Sequence, residues 1–392
     1  MRGCIGILCV WLLALCQPVT ARPAIEIGAE RSALYLPMLK GKVGLVVNQT
    51  SRVGQQHLLD YLLAQGVDVR MVFAPEHGFR GEADAGAHIS DGVDERTGVP
   101  IVSIYGQNKK PGKDVMSQLD WVIFDIQDVG ARFYTYISSM HYMMETAAEN
   151  HVRFMVLDRP NPNGSYVRGP IREDAFTSFV GMHPIPLLHG MTVGELAQMI
   201  NGEGWLAGHV QVDLTVIPMR HYQRSQPYSL PVSPSPNLPN DSAIALYPSL
   251  CLFEPTTVSV GRGTPFPFQV IGHPQVALGP FEFTPVSGAG AAKPKWQDTA
   301  LQGIDLRQSS IHGLDLTLLV STYQAITAKG LPFFTSESFF DKLAGTDKLR
   351  KALVAGQSAY QIEASWQQGE AHFMQQRQPY LLYDLIASEI AN

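Results

Sequence analysis

The chain has 392 residues, 45% of them hydrophobic and only 16% charged, with 35 Gly, 27 Pro and a formal net charge of −6. That length suits about two domains of ~150–200 residues, and the composition is that of a globular protein with long shaped loops, not of a disordered chain. Without a basic block, binding to a nucleic-acid phosphate backbone is excluded as a leading function.

Residues 1–21 read as an export signal. Arg2 precedes an uncharged apolar run over 4–16, too short to span a bilayer, and Val19-Thr20-Ala21 supplies small residues for cleavage. The expectation is a periplasmic or secreted protein with no stable membrane insertion after cleavage. Lipidation at Cys16 is disfavoured because Leu15 stands where a small residue is needed. Cleavage also removes three of the four cysteines. Cys251 remains in apolar surroundings, which predicts a buried inert thiol and no intramolecular disulfide.

The first half alternates strand and helix patterns. Short apolar runs at 42–47, 67–73, 100–105, 121–126 and 152–157 predict strands. Helical spacing is found from Ser51 to the stop at Gly66, over 114–119, over 133–150, and over 192–201, where Glu195 follows Thr192 as a capping box. Near-continuous apolar strands between helices predict a parallel sheet covered on both faces. No GxGxxG follows the first strand, so the topology is Rossmann-like without a dinucleotide fingerprint. The Pro-rich stretch 227–239 marks a boundary or long crossing loop. The division expected is a signal at 1–21, a catalytic domain at 22–239 and a smaller α+β domain at 240–392. The second half shows helical patterns at 315–330, 336–356 and 380–391.

The chemistry collects by position. Asn48 follows the first strand, Glu76 and His77 the second, Asp125, Gln127 and Asp128 the fourth, and Asp158, Arg159 and Asn161 the fifth. In an open parallel sheet these ends share one edge, where ligands bind. Pro75-Glu76-His77-Gly78-Phe79-Arg80-Gly81 combines a tight turn with an acid, an imidazole and a cation. Neither its spacing nor the later Asp84 and His88 make a familiar metal site, so no metal is expected. After the fourth strand, Asp125 is balanced between a catalytic and a loop-holding role, and Asp128 is the better cleft residue. Arg132, Tyr134 and Tyr136 open the next helix, the tyrosines suiting either a sugar platform or packing. His183 and His189 read as structural histidines. Glu254 and Arg262 lie in a Gly- and Pro-rich segment that resembles a substrate-gripping loop.

Five segments together resemble the NamZ-type exo-β-N-acetylmuramidases: residues 44–51, 75–81, 124–136, 158–164 and 254–264, in order along nearly the whole chain beyond the signal. The resemblance implies a Rossmann-like N-terminal domain, a smaller C-terminal domain and a cleft between them. It implies release of N-acetylmuramic acid from the non-reducing end of peptidoglycan-derived muro-oligosaccharides, with Glu76 as the catalytic glutamate and no cofactor. The second carboxylate would be Asp128 or Asp125. A cation must meet the lactyl carboxylate of muramic acid, and Arg80, Arg132, Arg159 and Arg262 are the candidates. The competing readings are hydrolysis of another amino-sugar glycan, a phosphate or ester hydrolase using His77 and Asp128, and a non-catalytic cell-wall glycan binder.

Overall fold

The structure is a computed structural model that describes residues 23–79 and 91–384. The signal expected at 1–21, Arg80, and most of the helix expected at 380–391 lie outside the described residues. Within them, residues 381–384 are not helical.

A seven-stranded sheet organises the first half. Its strands are β1 (Lys42–Val47), β2 (Asp68–Ala74), β3 (Gly92–Val93), β4 (Pro100–Ser103), β5 (Trp121–Asp125), β6 (Arg153–Leu157) and β7 (Leu214–Ile217). They lie in the order β3-β4-β2-β1-β5-β6-β7. All are parallel except β3, which caps one edge antiparallel to β4. β1 is central: the chain leaves it toward β2 and returns on its other side at β5. Such a switch point opens a crevice at the strands' C-terminal ends. The predicted mixed α/β architecture with a mostly parallel sheet is therefore observed. β7 had no clear signal because it is a four-residue, half-buried edge strand.

Alternation along each strand sends residues to two cores. Val122 and Phe124 of β5, with Phe154 and Val156 of β6, pack beneath helices α2 (Tyr136–Glu149) and α3 (Val193–Gly202). Trp121, Ile123, Met155 and Leu157 face the other way, toward α1 (Leu58–Ala64) and the N-terminal segment around Ile27 and Tyr35. Burial on both faces is why these strands read as unbroken apolar runs. α3 begins with the expected capping box of Thr192 and Glu195. α1 begins later than expected: residues 52–57 form a small hairpin, and His57 caps the helix through its imidazole.

The second half opens with α4 (Asp241–Leu250), whose helical pattern was hidden by the preceding prolines and by Pro248 inside it. A three-stranded antiparallel sheet follows, β8 (Val270–His273), β9 (Phe281–Phe283) and β10 (Leu301–Asp305), with β10 central. Then come α5 (Thr317–Thr327), α6 (Glu337–Ala344), α7 (Lys348–Val354), α8 (Ala359–Ala364) and α9 (Gln367–Arg377). The single helix expected over 336–356 is two, α6 and α7, broken where Gly345 turns left-handed at φ 75. Leu316, Leu319, Phe340 and Phe373 join the same core as α2 and α3, so the two halves are packed as one body.

Candidate active site

β2 delivers Pro75 and Glu76 to the open edge of the sheet. The amide of Gly78 donates to the carbonyl of Pro75 at 3.0 Å, closing a turn. His77 is held left-handed at φ 68. That region disfavours a side chain with a Cβ, and such strain gathers at functional sites. The Glu76 carboxylate is half-buried and gripped at both oxygens: Tyr105 Oη donates to Oε1 at 3.0 Å, and Thr135 Oγ1 to Oε2 at 2.7 Å. Burial first, then Glu76, pushes the Tyr105 phenol up, so it stays a neutral donor.

Glu76 and His77 form one wall of a cavity of about 180 Å³. Its floor is aromatic. Tyr134 and Tyr136 meet edge to face at 5.0 Å, and Tyr247 continues the row to Phe268. Burial pushes Tyr134 and Tyr136 up, which keeps both hydroxyls protonated. The lining also includes Glu254 and Arg262, joined through Nε and Oε1 at 3.1 Å. Phe339 of α6 also lines the cavity, so both halves of the chain contribute. The Pro-rich stretch expected as a boundary is itself a wall. Ser235, Asn237 and Leu238 line the cavity, and the carbonyl of Pro234 accepts from Tyr134 Oη at 2.9 Å and Tyr136 Oη at 3.4 Å.

Comparison with known proteins shows the family of the chain. A model of the N-terminal part of the exo-β-N-acetylmuramidase NamZ matches residues 43–242, and one of its C-terminal part matches residues 245–383. The chain belongs to the NamZ family. The peptidoglycan β-N-acetylmuramidase NamZ of Bacillus subtilis is 39% identical over 373 residues, 89% of either chain. Two solved DUF1343 family proteins of Bacteroides fragilis share the fold. One has a TM-score of 0.84 and 44% identity, the other 0.80 and 28%. Each alignment covers 92% of this chain and 99% of the other.

Of the site residues read from the sequence, Glu76, His77, Tyr134, Tyr136, Glu254 and Arg262 line this NamZ-family cavity. Arg80 lies outside the described residues, and the others are not in the cavity lining. Asp125 is fully buried and bound in bidentate fashion by Arg159, with Nε–Oδ1 at 2.6 Å and Nη2–Oδ2 at 2.9 Å. The structure thus moves Asp125 from catalysis, and Arg159 from anion binding, to holding the strand ends together. Arg132 is also corrected. Its guanidinium is buried and donates to the carbonyls of Pro170, Ile185, Leu343 and Ala344, which leaves it no face toward a ligand.

Asp128 is buried and does not line the cavity. Oδ2 accepts from the amide of Gly130 at 2.6 Å, while Oδ1 is buried with no hydrogen-bond partner. Burial pushes its carboxyl up to about 7. His189 Nε2 stands 3.9 Å away, but burial pushes that imidazole down to about 3, so the two do not form an ion pair near neutral pH. Asn48 accepts from Thr50, and Gln127 donates to the carbonyls of Asp128 and Pro160. Asp158 accepts from Thr192, Gly194 and Tyr383. Asn161 donates to Met191 and packs against Gly130, whose φ of 78 and lack of Cβ leave room for it. These four are scaffold for the loops.

Thr135, Tyr105 and Tyr247 were not anticipated. Thr135 had a signal, standing between the two singled-out tyrosines. Tyr105 ended a strand that showed no polar turn. Cys251 is buried as expected, its thiol pushed up by burial. Among the described residues, no three His, Cys, Asp or Glu side chains are grouped as metal ligands, and no helix is long and apolar enough to cross a membrane.

Proposed function

We propose that this chain is an exo-acting glycoside hydrolase that frees N-acetylmuramic acid from the non-reducing end of peptidoglycan fragments, with Glu76 as general acid. Membership of the NamZ family makes it a glycosidase of the peptidoglycan β-N-acetylmuramidase type. The observation that carries the assignment of roles is the Glu76 carboxyl, oriented by Thr135 and Tyr105 in a cavity that a second carboxylate, Glu254, also lines.

Hydrolysis of a glycoside requires a proton at the leaving oxygen and a carboxylate serving the anomeric carbon. Glu76 supplies the proton. Glu254, which lines the same cavity, takes the second role in place of Asp125 and Asp128, which are buried and do not line it. Tyr134, Tyr136 and Tyr247 form an aromatic bed for the sugar ring. Arg262 is the cation for the lactyl carboxylate: its Nε is engaged by Glu254, and the residue lines the cavity. The phosphate- or ester-hydrolase reading needs His77 and Asp128 together, and only His77 lines the cavity.

The division at residues 239/240 and export guided by residues 1–21 belong to the same proposal. Export would bring the enzyme to its substrate in the periplasm or outside the cell.

The test is turnover of a chromogenic β-N-acetylmuramide by the purified chain. Glu76→Gln should lower kcat at least ~100-fold, the usual effect of losing general acid catalysis. Wild-type rates from Glu76→Gln would reject the role, and binding of muro-oligosaccharides without turnover by the parent chain would favour a glycan-binding protein.

A further inference from the structure

Glu254 reaches the cavity on a stretch without regular hydrogen bonding of its own, residues 254–258, that follows a short turn at Cys251–Phe253. Its carbonyls nevertheless all have donors. Lys295 Nζ stands 3.3 Å from the carbonyl oxygen of Phe253, 3.0 Å from Glu254, 2.5 Å from Thr256 and 2.9 Å from Val258. The next residue, Trp296, donates from Nε1 to Thr257 at 2.6 Å. The carbonyl of Pro255 accepts from the amides of Thr335 and Ser336. Six consecutive carbonyls are thus taken, four of them by one ammonium group. Trp296 is left-handed at φ 61, a conformation that requires surrounding structure to hold it.

An ammonium on a flexible stem can sit among converging oxygens, whereas a planar guanidinium directs its donors outward. With three N–H donors and four carbonyls, the cage is suited to a compact cation. No carboxylate among the described residues is within ion-pair distance of Lys295: the oxygens that touch its ammonium are main-chain carbonyls, and Glu254 acts on it from farther away.

We propose that Lys295 is a positioning residue for the hydrolytic site: its ammonium fills a cage of four main-chain carbonyls and so fixes the segment that presents Glu254, and through it Arg262, to the cavity. This rests on the reading that Glu254 and Arg262 serve the sugar. It has a pH consequence, because a neutral amine would be a poor occupant of the cage. Burial, opposed by Glu254 and reinforced by Arg262, pushes Lys295 down to about 8. Burial pushes Tyr247 and Cys251 up, Arg262 is raised although burial opposes it, and burial pushes His273, packed on Trp296, down.

The experiment compares wild type with Lys295→Ala, which vacates the cage, and Lys295→Met, which plugs it with an apolar chain. With the chromogenic muramide, both should lose at least ~10-fold in kcat. Potassium chloride should restore much of the loss in Lys295→Ala and none in Lys295→Met, while choline chloride restores neither. The wild-type rate should fall above about pH 8, and that fall should vanish in potassium-rescued Lys295→Ala, whose cage cation has no proton to lose. Wild-type kcat in Lys295→Ala, or a loss that potassium does not relieve, would overturn the proposal. Thermal unfolding gives a readout that does not depend on turnover. Lys295→Ala should melt higher in potassium than in choline, and equal melting would count against the cage. If the wild type shows no turnover, the proposed function fails while the melting comparison still judges the cage.

Discussion

At the scale of single residues, the site separates carboxyl groups by their surroundings. Glu76 has hydroxyl donors on both oxygens at a cavity wall, while Asp125 has a guanidinium and no exposure. Asp128 has one amide donor and one oxygen with no partner, so burial dominates and its ionised form is disfavoured. The folded chain therefore binds a proton at Asp128 up to about pH 7, where an unfolded chain releases it near 3.8. The destabilisation from ionising it is small near pH 4, grows as pH rises, and is complete above about 7. Asp128→Asn, which keeps an acceptor for Gly130, should accordingly gain more stability over the parent at pH 8 than at pH 5. The difference should be on the order of 2 kcal/mol, measurable as the change in Tm at the two pH values. An equal effect at both would show that Asp128 is not the buried acid described.

At the scale of elements, the loops after β1, β2, β5 and β6 make or support the site, and helix ends set their geometry. The sequence pattern over 336–356 looked like one helix because apolar residues continue through it. Gly345 interrupts it: its left-handed conformation ends α6, and a Cβ there would stand 2.6 Å from Arg132 Nη2 and 2.9 Å from the backbone of Arg172. α6 carries Phe339 and Leu343 to the cavity, so the break aims a wall of the site. Gly345→Ala should lower stability by about 1–3 kcal/mol, through strain and displacement of the arginine. Urea denaturation measures this, and an unchanged midpoint would mean that the helix break is indifferent to the residue type.

At the scale of the molecule, the two halves are joined by polar contacts across long sequence separations as well as by a shared core. Arg132 is the central case, giving two hydrogen bonds to carbonyls of the first half and two to the last turn of α6. Removing it leaves four buried acceptors to be satisfied otherwise, and each unsatisfied group costs on the order of 1–3 kcal/mol. Arg132→Met should therefore destabilise the fold by about 3 kcal/mol or more, read from the urea midpoint. A loss below ~1 kcal/mol would show that the halves do not depend on this junction. Tyr383 adds a second tie near the C-terminal end of the described chain, donating to Asp158 at 2.6 Å and accepting from the amide of Met219.

Much of this was legible in the amino-acid order. The five principal strands, the Thr192 capping box and the placing of Glu76 and His77 at a strand end follow from local periodicity and turn chemistry, which a sequence displays directly. The Gly- and Pro-rich setting of Glu254 and Arg262 pointed to the same chemistry from the other half of the chain, in a segment that the family resemblance also covers. Which polar residues face a ligand and which face each other was not legible. Asp125 and Arg159 are 34 positions apart, and Arg132 and Ala344 are 212 apart. A buried charge and a catalytic charge look alike in one dimension, because the partner that satisfies the first is brought in only when the sheet and the second half pack. The sequence by itself therefore determined the five principal strands, the helices α2 and α3 that cover one face of them, and the loop that carries Glu76. Tertiary structure alone turned the Pro-rich crossing into a cavity wall, placed Arg132 and Asp125 in the scaffold, and gathered four carbonyls around Lys295, since desolvation and hydrogen-bond satisfaction are set by distance in space.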